Sequence, residues 1–91
     1  MVKINDIQFE SEQRFLNYIN KALGCDEGEI DSPDALYDVL SCFEDDIELT
    51  FCGTENISAQ MKPFAEKVFA AVYNAKSEND GLTVKIVNTS V

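Results

Sequence analysis

The sequence predicts an α/β domain in which a three-stranded parallel sheet is packed by about three to four helices. Three observations carry that expectation. Short segments that alternate apolar and polar residues (residues 2–4, 47–52 and 82–87) stand apart from longer stretches whose apolar residues recur at helical spacing. The helical stretches fall between consecutive alternating segments, so the strands need crossover connections and run parallel. The chain has 91 residues, 45% of them hydrophobic, enough for one modest core, so residues 1–91 read as a single domain.

At the chain start, Val2 and Ile4 read as a short strand, with Ile7 and Phe9 as its continuation. Ser11 is placed to cap a helix, because its hydroxyl can accept from a first-turn N–H. Phe15, Leu16, Ile19, Ala22 and Leu23 then follow helical spacing, Lys21 sits near the negative end of the helix dipole and Gly24 supplies the stop. Residues 25–31 form an acidic, solvated connector with Gly28 at its centre. Its alternating acids resemble a calcium loop, but such a loop closes with a bidentate Glu at its twelfth position, and the twelfth residue counted from Asp26 is Tyr37. No metal or other cofactor is expected.

Ser32 and Pro33 open the next helix. The serine is a good N-cap, and proline suits the following position because its missing N–H would have had no partner there. Ala35, Leu36, Val39, Leu40 and Phe43 form one apolar stripe, while Asp34, Tyr37, Asp38 and Ser41 share the other side. Two carboxylates one turn apart cost roughly 0.2–0.5 kcal/mol in an isolated helix. The positive end of the dipole offsets part of that cost for Asp34.

Glu44-Asp45-Asp46 is an acidic turn, and Ile47, Leu49 and Phe51 mark one face of a half-buried strand. Gly53-Thr54-Glu55-Asn56 is turn chemistry, and Ile57 to Met61 reads as a turn or two of helix. Pro63 opens a long amphipathic helix on Phe64, Val68, Phe69, Val72 and Ala75, running toward Ser77. Glu78-Asn79-Asp80-Gly81 is a strong turn signal before the final strand. The pattern leaves the strand order open.

Charge and residue usage narrow the function classes. The chain carries 7 basic and 17 acidic side chains, a formal net charge of -10, which disfavours nucleic acid and anionic membrane as direct partners and favours a basic one. Cys25, Cys42 and Cys52 form an odd set with no paired spacing, so they read as reduced thiols of a cytoplasmic protein. Cys42 reads as a small core residue and Cys52 as half exposed. An acid follows too soon after Met1 for a signal-peptide core, and no apolar run is long enough to span a bilayer.

Catalysis is not expected. The chain has no histidine, and no cysteine lies in a basic neighbourhood that would activate its thiol. Asp34 and Asp38 on one exposed helix give no reason for the separated pKa values that an acid–base pair needs.

The segment Asp34-Ala35-Leu36-Tyr37-Asp38-Val39-Leu40 resembles the Asp-Ala-Leu-aromatic-Asp-x-Leu helix of the barstar family, intracellular protein inhibitors of small secreted ribonucleases. The flanks agree: the stretch from Ile4-Asn5 through Leu23 to Asp34 aligns without a gap, and Ala75-Lys76 followed by Leu82-x-Val84-x-Ile86 matches the family's closing helix and strand. The resemblance implies a barstar-like fold, no catalysis and a small basic, extracellular-type ribonuclease as partner of a free monomer. It implies that Asp38 is the dominant interface acid, with Asp34 and Tyr37 as its helical companions; Ser41 joins them as a candidate contact because spacing puts it on the same face.

Such an inhibitor offers carboxylates where RNA phosphates would sit, and the enzyme's basic side chains meet them with charge-assisted hydrogen bonds. Two departures from the family stand out. Asn74 falls where the family has an acid on its last helix. Gly28-Glu29-Ile30 replaces a Tyr-Tyr-Gly segment, so an aromatic contact is lost while Glu27, Glu29 and Asp31 add acid. A changed target or affinity follows from that loop. Two plainer readings stand beside the inhibitor: a solvated helix face with no partner, and an acidic binding module of this fold whose basic partner is no nuclease.

Overall fold

The computed structural model describes residues 2–87. In chain order it contains β1 (Val2–Asn5), a 3-10 helix (Asp6–Glu10), α1 (Glu12–Ala22), α2 (Pro33–Ser41) and β2 (Ile47–Cys52). A 3-10 turn (Thr54–Asn56), α3 (Lys62–Glu78) and β3 (Leu82–Val87) complete it. Both strand pairings are parallel and the sheet order is β1-β2-β3, so each crossover carries the chain to the adjacent strand.

Helices cover one face of the sheet. Ile4, Leu49, Phe51 and Leu82 point into a core shared with Phe15 and Ile19 of α1, Leu36 and Leu40 of α2, and Val68 and Val72 of α3. Aromatic rings join the layers: Phe9 stacks on Phe15 at 4.8 Å between centroids, and Phe69 meets Phe51 edge-on at 5.0 Å. Each such ring contributes about 1.5–3 kcal/mol by burial. The other face carries Lys3, Asn5, Glu48, Thr83 and Lys85, with Cys52 and the half-exposed Val87 at one end, a largely polar surface on a parallel sheet, a class usually covered on both sides.

Several local expectations are corrected. The first strand stops at Asn5, and Ile7 and Phe9 lie in a 3-10 helix. That turn swings Phe9 back into the core while leaving Ile7 half exposed to solvent. The helical turn expected at Ile57 to Met61 is only a hydrogen-bonded turn, with the Met61 and Lys62 N–H groups donating to the Ser58 carbonyl, and a 3-10 turn precedes it at Thr54–Asn56 after Gly53, whose φ is 68°. Ala22, placed on the apolar stripe of α1, is exposed, since that helix is ending where its stripe would continue. Cys42 is exposed rather than buried, because α2 ends at Ser41 and the next residue leaves the helical phase. Cys52 is half-buried, as expected. Within the solvated connector, Ile30 is fully buried.

Candidate functional site

The start of α2 follows its local chemistry. Ser32 has extended backbone, and its hydroxyl accepts from the Ala35 N–H at 3.2 Å. Leu36 and Leu40 anchor the buried side, which turns Asp34 and Asp38 to solvent one turn apart. Neither aspartate enters an ion pair among the described residues. Ser41 is half-buried, and its hydroxyl donates to the Asp38 carbonyl at 3.1 Å.

Tyr37 sits between the two acids, half-buried, and its hydroxyl donates to the Glu78 carboxylate at the end of α3. That bond, the cost of desolvating the phenolate and the nearby charges of Glu78 and Asp38 all push the phenol pKa upward. A second tie lies at the other end of α2. Asn79 donates to the carbonyls of Leu40 at 2.8 Å and Phe43 at 3.1 Å, so it adds a second bond to Leu40, which already accepts from the Phe43 N–H, and ties down the chain just past α2.

α2 and α3 thus flank an open groove of about 690 Å³. Asp34 and Tyr37 line one wall, Lys67, Asn74, Ser77 and Glu78 the other, and Ala70 and Ala71 keep its floor low. Asp38 and Ser41 are not part of this lining. Asn74 is exposed, and its carbonyl accepts from the Ser77 hydroxyl at 2.7 Å.

Glu27, Glu29 and Asp31 are all exposed on the connector, away from the groove lining. The connector is nevertheless ordered by its neighbours. The buried Asn20 side chain donates to the Ile30 carbonyl at 3.0 Å and accepts from the Ile30 N–H at 2.8 Å. Glu29 folds back to accept from the Asp26 N–H at 3.2 Å, and Gly28 takes a φ of +80° to allow the turn. Glu27 instead borders a smaller cleft with Asn17, Lys21 and Cys25. Burial, then the Glu29 charge, raises the Cys25 thiol pKa, which leaves it a poor nucleophile.

Sequence reasoning singled out Asp34, Tyr37 and Asn74, which the fold brings to one groove, and missed Glu78 and Lys67 beside them. Glu78 fits the first position of a turn signal; the signal that could have found it is the helical phase from Ala71 and Ala75, which continues through it. Lys67 had no signal beyond exposed spacing on an amphipathic helix. Among the described residues, no group of three His, Cys, Asp or Glu side chains is placed to hold a metal ion. No helix among them is long and apolar enough to cross a membrane. No protein-family model matches the chain, and no curated protein matches it.

Proposed function

We propose that this protein is a barstar-like inhibitor, a non-catalytic cytoplasmic monomer that occludes the active site of a small basic ribonuclease with the acidic face of α2. The observation that carries the reading is the pair Asp34 and Asp38, exposed one turn apart on a helix whose other side is locked into the core. Fixed carboxylates of this kind accept charge-assisted hydrogen bonds without first paying to be ordered. Tyr37, held by Glu78, adds rigid aromatic surface between them. The chain's charge of -10 speeds encounter with a cationic enzyme and makes association weaken as salt rises.

The altered connector supports a second reading, an acidic binding module whose basic partner is not a nuclease, because Gly28-Glu29-Ile30 lacks the family's aromatic contact. A panel of small basic ribonucleases, each assayed for RNA cleavage with and without this protein, separates the two. Inhibition of one enzyme by wild type supports the first reading. For that enzyme, Asp38→Ala weakens the complex by about 2–5 kcal/mol, a range for truncated buried charge pairs to which barstar complexes themselves contribute. Unfolding of the variant shifts by less than about 0.5 kcal/mol. Capture without loss of cleavage favours the second reading, and no capture across the panel removes the first.

A further inference from the structure

We propose that the helix-free face of the sheet binds a small phosphate-type oxyanion at the row formed by Lys3, Thr50 and Lys85. The register carries the first step. Lys3 of β1 and Lys85 of β3 are both Cα partners of Thr50 on the central strand, so three side chains from three strands rise side by side from one face. Neighbours in such a row stand about 5 Å apart at Cβ, and lysine stems are long and flexible enough to converge above the middle residue.

Thr50 supplies the second step. It is 6% exposed, and its hydroxyl is the one buried side-chain polar atom among the described residues with no hydrogen-bond partner. Buried donors are nearly always satisfied, and leaving one unmet costs about 1–3 kcal/mol. A hydroxyl flanked in register by two lysines is served by an acceptor that their flexible ammonium groups can reach as well.

The charges around it agree. Lys85 Nζ lies 3.0 Å from Glu48 Oε1, so an oxyanion already sits on one flank of the row, supplied by the chain itself. Lys3 is exposed and has no such partner among the described residues. The row of Lys3, Thr50 and Lys85 itself carries two positive charges, while Glu48, Asp46 and Asp80 add acid toward the other end of the face, so a small anion is attracted to the row and the surrounding acid repels a polyanion. A tetrahedral phosphate has enough oxygens to accept from both ammonium groups and the hydroxyl together, whereas a planar carboxylate offers two.

The test is a titration of the isotope-labelled full chain, followed by NMR at the amides of Lys3, Thr50 and Lys85. Inorganic phosphate and glycerol phosphate are the two ligands, and sodium chloride at matched ionic strength is the control. Saturable shifts centred on these amides are expected, absent with chloride. Equal responses to both ligands identify free phosphate as sufficient, and a stronger response to the ester identifies a phosphomonoester. Thr50→Val, which keeps the shape and removes the hydroxyl, lowers the affinity about tenfold, while Thr50→Ser retains it. Glu48→Gln, which removes the competing carboxylate, raises it roughly threefold. Shifts that follow ionic strength alone, or a Thr50→Val protein that binds like wild type, overturn the proposal.

Discussion

Acid reaches the surface in two regions of this molecule, the outer face of α2 and the connector at residues 25–31, and the two are held by different means. On α2 the carboxylates are placed by the helix itself: a serine cap, a proline in the first turn and two buried leucines orient Asp34 and Asp38. On the connector no regular backbone does this. Glu27, Glu29 and Asp31 are arranged by one buried side chain, Asn20, gripping both polar groups of Ile30, and by the left-handed turn at Gly28. Similar composition therefore has different mechanical standing. Repeated hydrogen bonds within a helix share the load, whereas the connector depends on the Asn20 staple, the buried Ile30 and a few turn bonds, so its local opening costs less free energy.

The sharpest way to break the comparison is Asn20→Ala. It leaves the N–H and C=O of Ile30 buried without partners, so global stability should fall by about 2–4 kcal/mol, a large part of what a domain this size possesses. Urea unfolding measures the loss, and limited proteolysis should cut within residues 25–31 before the rest. Unchanged stability would mean that the staple is replaceable and the two regions are equally robust.

Asn79→Ala applies the same logic to the α2 side. The Leu40 carbonyl keeps its bond from the Phe43 N–H while the Phe43 carbonyl loses the Asn79 amide, and water can reach this partly buried position, so the cost is smaller, about 1–2 kcal/mol. Amide exchange should quicken at the last turn of α2 while its first turn stays protected. Gly28→Ala comes next. Apart from residue 28 itself and its two chain neighbours, no atom lies within 4 Å of the added Cβ, so only the positive φ is penalised, at about 1 kcal/mol, and the thermal midpoint should fall by a few degrees.

The smallest effect concerns Tyr37. Its phenol pKa is raised above the ordinary 10.0 by the bond to Glu78, so the fold favours the protonated form. The stabilisation is complete below the ordinary value and is lost as pH climbs through the raised one. Ultraviolet titration should show Tyr37 ionising late, and Glu78→Gln should bring that transition down. A titration identical in both proteins would mean that the tie to α3 adds nothing to the α2 face.

Much of the fold is legible in short windows of sequence. Ser11, Ser32 and Pro63 mark helix starts, and the alternation of Ile47, Leu49 and Phe51 marks the inner face of the central strand. Legibility fails where a residue's neighbours are distant in the chain. Ile7 and Phe9 fit strand alternation, yet burying Phe9 against Phe15 and Phe69 outweighs that pattern and coils the segment. Asn79 looks like turn punctuation and is also a brace between two helices. At the candidate site, Asp34 and Asp38 follow from spacing alone, but Glu78 enters only because α3 lies against α2, 41 residues away from Tyr37.

The primary structure alone settles the properties that act over one or two turns of backbone: caps, apolar stripes, the two outward aspartates and the acidic charge. These depend on neighbours three or four residues away, whose geometry the backbone imposes. The sheet order, the Asn20–Ile30 staple, the Tyr37–Glu78 contact and the lysine-flanked Thr50 arise only in the assembled domain. Each joins groups 10 or more residues apart, whose meeting is fixed by how helices and strands share one core.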